Sequence, residues 1–231
     1  MTARLNYARK QLGQQEDGLQ AAAALAEEPL ADAVGRATGA MLLANDVLDL
    51  SAGELRARWL PRTIAVLRAV LAAVPSPKGE AAALSAELCL RLVDLCGGEA
   101  AEEGEPSRWL QLAEARIAAA DVAPERLCSL YGQLCQTWLD HDAAATARCA
   151  MAWAARLPQQ PEAQFGAARL LAKSASRGDD ASGAIGAAAV ACLGAAIELG
   201  ATTAAAARDD KEFLGLQKRD DFKALLADRG R

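Results

Sequence analysis

The sequence predicts an all-α protein built as a stack of antiparallel helix pairs, and three observations lead to this fold class. Alanine makes up about a quarter of the 231 residues, aromatic residues are 4%, and β-branched residues are sparse, a composition that favours helices over sheets. Apolar residues recur at helical spacing along most of the chain. Candidate helix starts near 77, 106, 124, 143, 161 and 184 give two-helix steps of about 37 to 47 residues, as in helical repeats.

The N-terminal part of the chain contains signals for three helices. Leu5–Ala26 predicts the first helix, and Pro29 suits the first turn of a second helix that runs toward Leu50. Ser51 and Glu54 have the spacing of a capping box and predict the start of the third helix. Its predicted apolar stripe consists of Leu60, Ile64, Leu67, Leu71 and Val74.

A fourth helix and a linker follow. Pro75 and Pro77 end the third helix, and Pro77 opens the fourth, whose two apolar rows are Leu84, Leu88, Leu92 and Leu95, and Cys89, Val93 and Cys96. Gly97, Gly98 and the acidic run Glu99–Glu105 predict a solvated linker, with a patch for basic partners as the alternative. We therefore separate an N-terminal helical region, 1–98, made of divergent repeats or of a bundle, from repeats in 106–231. One continuous solenoid is expected.

Beyond the linker the helices alternate regularly. Pro124 predicts the start of one helix, a turn at Asp140–Asp142 leads to the next, and Pro158 and Pro161 bracket another turn. The loop Ser174–Gly183 is longer than a usual repeat turn. The predicted core positions are Trp109, Leu110, Ala113, Ile117, Ala120, Leu127, Leu130, Tyr131, Leu134, Cys135, Trp138, Cys149, Ala150, Trp153 and Phe165.

Residues 187–228 predict a long helix followed by three short elements that form a C-terminal cap. Gly200 suits a left-handed helix end, and Thr202 or Thr203 suits the cap of a short alanine helix. Asp209 with Glu212 predicts a capping box, and Asp220 or Asp221 the cap of a last helix. The predicted core of this segment is Phe213, Leu216, Phe222, Leu225 and Leu226.

The last third of the chain resembles the closing unit of bacterial tetratricopeptide arrays, of the kind found behind certain serine/threonine kinase domains. That unit has an A-x-x-x-L-x-x-A-x-x-x-G helix, a D-x-x-[FL]-x-x-L box and an [RD]-x-x-F-x-x-L-L box. The matching positions here are Leu193, Ala196 and Gly200, then Asp210, Phe213 and Leu216, then Arg219, Phe222, Leu225 and Leu226. Pro161–Ala175 is similar to the first helix of the same repeat. The resemblance implies a right-handed superhelix of helix pairs and brings no catalytic residues.

The search for chemistry in the sequence is largely negative. Phosphate loops, dinucleotide loops, kinase motifs, nucleophile elbows and H-E-x-x-H are missing from the sequence. One histidine, His141, leaves little acid–base capacity near neutral pH. The acidic pairs suit helix caps and loops. We predict neither an enzyme nor a bound cofactor.

The six cysteines are predicted to be reduced thiols that pack in the core. Cys89 and Cys96 are seven residues apart, as are Cys128 and Cys135, which places each pair on one helix face. A metal site would need closer spacing. We therefore predict no metal site, and bound zinc is the alternative.

Charge and hydropathy exclude two classes of partner. The net charge is −5 and the charges are scattered, whereas a nucleic-acid-binding surface normally shows a basic stripe. No stretch approaches the roughly 20 apolar residues of a membrane span, and the N-terminus lacks the apolar core of a signal peptide. The expectation is a cytoplasmic protein that binds neither nucleic acid nor membrane.

Binding of a protein or peptide on a helical-repeat surface is the predicted function, as an adaptor, scaffold or regulatory subunit. The four tryptophans are first explained by core packing. Trp59 is the exception considered, since Arg56, Arg58 and Arg62 flank it and an exposed tryptophan among arginines suits a binding surface. The alternatives are a regulatory subunit or detached tail of a bacterial signalling enzyme such as a kinase or protease, and a helical bundle that binds a small apolar ligand.

Overall fold

The computed structural model of the protein describes residues 2–28, 32–50, 53–74, 77–96, 105–177 and 183–229, with side chains from residue 13 onward. These residues form eleven α-helices and one 3₁₀ helix and contain no β-strand. The α-helices are α1 Thr2–Glu27, α2 Ala33–Asp49, α3 Glu54–Ala73, α4 Gly79–Cys96, α5 Glu105–Ala119, α6 Pro124–His141, α7 Ala143–Arg156, α8 Pro161–Arg177, α9 Ala184–Glu198, α10 Ala204–Asp209 and α11 Asp220–Asp228. The 3₁₀ helix, Lys211–Leu216, lies between α10 and α11. The predicted all-α class is confirmed.

The chain forms two compact units, 1–122 and 123–231. In the first unit α1 packs against α2 and α3, α2 against α3 and α4, and α4 against α3 and α5. The acidic segment predicted as a linker thus joins two helices of one unit, although residues 97–104 themselves lie outside the described ranges.

In the second unit α6 and α7 each pack against the next helix and against the next but one. Helix α6 contacts α7 and α8, α7 contacts α8 and α9, and α8 contacts α9 and the 3₁₀ helix. Helices that are close in sequence thus pack against one another in this unit. The right-handed superhelix remains a prediction.

Several helix starts agree with the predicted signals. Pro124 occupies the first turn of α6. The carboxylate of Asp142 caps α7 by accepting hydrogen bonds from Ala144 N at 2.8 Å and Ala145 N at 3.0 Å. Thr203 caps α10 through Ala206 N, and Gly200 has the left-handed φ of +80°.

Three predicted helix-boundary signals in the N-terminal part fall outside the described residues. Pro29, Ser51 and Pro75 have no described placement. Helix α2 begins at Ala33, later than Pro29 predicts, because Asp32 accepts a hydrogen bond from Gly35 N at 2.7 Å and caps it. The loop predicted at Ser174–Gly183 is shortened, since α8 continues to Arg177.

Two predicted caps near the C-terminus are wrong. Asp209 is the last residue of α10, so Asp210 caps the following 3₁₀ helix through Glu212 N. Asp220 and Asp221 lie inside the first turn of α11, after the cap residue Arg219. Acidic side chains in the first turn still interact favourably with the positive end of the helix dipole.

The C-terminal core is largely as predicted. Phe213, Leu216, Phe222 and Leu226 are buried, and Phe213 stacks obliquely between Phe165 and Phe222, with ring centroids 6.2 and 6.3 Å away. Leu225, also predicted in this core, is half-buried. Leu214 of the 3₁₀ helix is exposed.

Helix C-termini in this protein are often completed by a side chain from a later helix. Arg56 of α3 donates to Leu50 O at the end of α2 at 2.9 Å, and Arg177 of α8 donates to Leu139 O of α6 at 2.8 Å. Gln164 of α8 donates to Ala154 O of α7 at 2.9 Å and to Leu157 O at 3.3 Å. These bonds satisfy carbonyls that have no partner inside their own helix.

Candidate binding grooves

Trp59 is a core residue and not an exposed anchor. Its side chain is 3% exposed, so the expectation of an exposed tryptophan is wrong and core packing is confirmed. The buried face of α3 consists of Trp59, Thr63, Val66, Leu67, Val70 and Leu71. This face is rotated from the stripe predicted from Leu60 and Ile64, since the indole buries more apolar area than either aliphatic side chain.

The three arginines near Trp59 do not form one patch. Arg56 caps α2, and Arg58 forms an ion pair with Glu16 of α1 at 2.7 Å. Arg62 lies over the indole of Trp59, with its Cζ 4.8 Å from the ring centroid. Of the predicted site residues, Arg62 borders a groove.

That groove, the α3 groove, is formed by the first three helices. Its volume is about 390 Å³. The end of α1 and the start of α2 form its walls, and α3 forms its floor. The lining residues are Ala26, Glu27, Arg36, Arg62, Ala65, Val66, Ala69 and Val70. Ala65 and Ala69 are exposed while Val66 and Val70 are buried beneath them, so the floor is shallow and apolar.

The rim of the α3 groove carries two arginines and one glutamate. Arg62 Nη2 lies 3.5 Å from Glu27 Oε2, and both side chains are about half exposed, so this ion pair is weak. Arg36 is half-buried, and its Nε has no hydrogen-bond partner among the described residues. A donor shielded from water without a partner is costly, and an acidic group in the groove would satisfy it.

A second groove lies in the second unit and is named the Trp153 groove. It has a volume of about 210 Å³ and is lined by Gly132, Gln136, Trp153, Gly166, Arg169, Leu170 and Lys173. Two glycines, one on α6 and one on α8, lie against the indole of Trp153, which is itself buried. The groove is thus lined by residues of α6, α7 and α8.

The cations of the Trp153 groove already have partners. Arg169 lies 3.5 Å from both Asp210 and Glu212, and Lys173 lies 3.1 Å from Glu212. The groove rim is therefore close to neutral, and it offers less to an acidic ligand than the α3 groove does.

Within the described ranges no group of three His, Cys, Asp or Glu side chains is placed to hold a metal ion. Burial raises the pKa of Cys89 to about 12, which keeps it a thiol. Burial, and then the charge of Asp49, raise the pKa of Asp46. All six cysteines carry free thiols; Cys89, Cys96, Cys135 and Cys149 are buried, and Cys128 and Cys192 are partly exposed.

Both grooves were missed in the sequence because small residues create them. Ala65 and Ala69, like Gly132 and Gly166, carry no polar or reactive group that would mark a site. Small residues spaced along one helix, next to a tryptophan of a neighbouring helix, would mark such a groove. This pattern can be recognised only when it is known which helices pack together.

Comparison with known proteins gives no relatives. No family model, no curated protein and no solved structure matches this chain. Among the helices of the described residues, none is both long enough and apolar enough to cross a membrane. The function proposed for this chain therefore rests on the residues that line its grooves.

Proposed function

We propose that this protein is a non-catalytic interaction module and that its α3 groove binds a segment of a partner protein. The observation that carries the proposal is the combination of a shallow apolar floor with a half-buried arginine whose Nε lacks a partner. Apolar contact supplies affinity, and a charge-assisted hydrogen bond from Arg36 sets orientation.

The partner segment carries an apolar side chain next to a carboxylate. The apolar side chain contacts Val66 and Val70 between the two alanines, and the carboxylate lies between Arg36 and Arg62. Because Glu27 offsets one of the two arginines, the rim has a surplus of one positive charge. A single acidic residue therefore matches the groove better than a pair.

The shape of the groove supports a protein ligand over a small molecule. Small-molecule sites surround most of the ligand surface, whereas both grooves described above open to solvent. The adaptor, the scaffold and the regulatory subunit of a signalling enzyme share this mode of binding. The identity of the partner separates these three roles.

Site-specific crosslinking tests the proposal. A photoreactive amino acid at Ala69, on the groove floor, is compared with the same residue at Ala118, an exposed alanine of α5 in the same unit. We expect a partner protein to be crosslinked from position 69 and not from position 118. Equal labelling from both positions argues against the groove.

Binding measurements with the purified partner provide a second test of the proposal. Ala69→Glu fills the floor with a charge and is expected to weaken binding about tenfold or more, whereas Ala118→Glu leaves it unchanged. Arg36→Gln is expected to weaken binding and to reduce its salt dependence. Wild-type affinity in an Ala69→Glu protein with a native circular dichroism spectrum rejects the α3 groove as the site.

A further inference from the structure

We propose that Cys135 and Cys149 form a reversible intramolecular disulfide when the protein meets a small-molecule disulfide oxidant. The two residues lie on adjacent antiparallel helices, Cys135 on α6 and Cys149 on α7, and their Sγ atoms are 3.0 Å apart. Both side chains are fully buried. The proposal does not depend on the function proposed above.

The distance between the sulfurs suits bond formation. A disulfide bond is about 2.05 Å long, so the two sulfurs have to approach by only about 1 Å. Forming the bond requires rotation of the two side chains about their Cα–Cβ bonds. Two other pairs of cysteines are too far apart for a disulfide. Cys89 and Cys96 lie two turns apart on α4, and Cys128 and Cys135 lie two turns apart on α6. Two turns separate the residues of each pair by about 10 Å along the helix.

The reaction is thiol–disulfide exchange with a low-molecular-weight disulfide such as oxidised glutathione. Because both sulfurs are buried, the exchange takes place when the contact between α6 and α7 opens locally. The thiolate of one cysteine attacks a sulfur of the oxidant, the S–S bond of the oxidant breaks, and one glutathione thiolate leaves. The thiolate of the second cysteine then attacks the protein sulfur of the mixed disulfide and expels the second glutathione. Two protein thiols are oxidised, and one glutathione disulfide is reduced to two thiols.

The bond would fix the two helices that carry part of the Trp153 groove. Cys135 is adjacent to the groove residue Gln136, and Cys149 lies one helical turn before Trp153. A link at this level closes a loop of 15 residues that contains the turn at Asp142. Closing a loop of this size restricts the unfolded chain and stabilises the folded hairpin.

The test uses the purified full chain, incubated with oxidised glutathione, quenched in acid and alkylated after unfolding. Peptide mapping by mass spectrometry is expected to show one cross-link, between the peptides of Cys135 and Cys149, with a loss of two hydrogen atoms. Cys128 and Cys192, which are partly exposed, are expected to carry glutathione. Dithiothreitol should reverse both products.

Thermal unfolding provides an independent readout. Oxidation is expected to raise the melting temperature by about 5 to 10 °C, and Cys149→Ala should abolish this rise, whereas Cys128→Ala should retain it. The mapping of the wild-type chain decides the matter even if Cys149→Ala does not fold. Two outcomes would overturn the proposal. In the first, Cys135 and Cys149 are recovered alkylated from a sample whose Cys128 is already glutathionylated. In the second, cross-links form between other cysteines.

Discussion

Gly166 of α8 lies against the indole of Trp153 on α7, so closely that a Cβ at Gly166 would stand 2.8 Å from Cζ3 of the ring. The indole cannot retreat easily, because it is buried and stacks on Tyr131 with ring centroids 6.5 Å apart. Helix α8 therefore needs a residue without a side chain at this position. The left-handed conformation plays no part here, since the residue is helical.

Gly166→Ala is predicted to destabilise the protein, and Gly132→Ala is its matched control. A Cβ at Gly132 meets the same indole at an ordinary 3.6 Å, so alanine there gains helix propensity of about 0.5–1 kcal/mol. At Gly166 the overlap costs about 1–3 kcal/mol, more than the propensity gain. Urea unfolding followed by circular dichroism should give opposite signs for the two variants. The same sign for both would contradict the packing argument.

Gly39→Ala is predicted to lower the unfolding free energy by about 2–3 kcal/mol. A Cβ there would lie 2.6 Å from Ala26 N and 2.9 Å from Leu25 C, and backbone atoms cannot move aside as a side-chain end can. Gly18→Ala in α1 meets no atom within 4 Å and should stabilise the protein by up to about 1 kcal/mol. Thermal melts of the two variants check this. A stable Gly39→Ala protein would mean that α1 and α2 separate easily.

Trp59→Ala is expected to cost about 3–5 kcal/mol, because it opens a large cavity in the core of the first unit. Trp59→Phe should cost clearly less, since it retains most of the apolar area. Arg58→Ala is the surface control and should stay within about 0.5 kcal/mol, as its ion pair with Glu16 is exposed. Chemical denaturation measures all three. A small loss for Trp59→Ala would return this residue to the list of surface candidates.

Gln164→Leu is predicted to destabilise the protein by about 1–2 kcal/mol. The substitution keeps the volume of the buried side chain but removes its donor from Ala154 O and Leu157 O. Leu157 O retains a hydrogen bond from Gln160 N at 3.1 Å, so the loss falls on Ala154 O. Gln133→Leu is the control, because Gln133 makes an exposed hydrogen bond to Ser129. Its unfolding free energy should change by less than about 0.5 kcal/mol. Equal effects in both variants would show that the cap of α7 contributes nothing.

Asp221→Asn is predicted to have a pH-dependent effect. The hydrogen bonds from Arg219, at 2.8 and 3.0 Å, lower the pKa of Asp221 from its ordinary value of 3.8. A lowered pKa gives stability that is present above pH 3.8 and is lost as the pH falls through the lower folded-state value. Because the side chain is 42% exposed, the loss at neutral pH should remain below about 1 kcal/mol.

A pH series of thermal melts tests this effect. The wild type and Asp221→Asn should differ at pH 7 and converge in acid. Asp220→Asn serves as the control, since Asp220 is almost fully exposed and its loss should matter little at any pH. A difference for Asp221→Asn that persists at pH 2 would have to come from packing.

The helices could be predicted from the sequence because their signals are local. Pro124, Asp142 and Gly200 act on their own helix ends, and the observed starts of α5 to α9 fall within one residue of the predicted ones. The rotation of α3 was mispredicted for a related reason. Leucine spacing alone placed Leu60 and Ile64 inward, whereas the larger indole of Trp59 decides which face is buried.

The grooves could not be predicted because they depend on pairs of helices. Nothing in α8 alone distinguishes Gly166 from a glycine that merely weakens a helix, and only the indole from α7 gives it a role. The same holds for Arg36, whose lack of a partner for Nε depends on three helices meeting. Residues whose roles depend on tertiary neighbours leave no local signature.

The side chains that complete helix C-termini come from later parts of the sequence, and this order matters during synthesis. Arg56 acts on α2, Arg116 of α5 reaches Val74 O at the end of α3 at 3.4 Å, and Gln164 and Arg177 act on α7 and α6. In every case the donor is synthesised after the helix it finishes. On the ribosome, the α6–α7 hairpin therefore emerges before α8. The last carbonyls of α6 and α7 gain their side-chain donors only when α8 has been synthesised and packs against the hairpin.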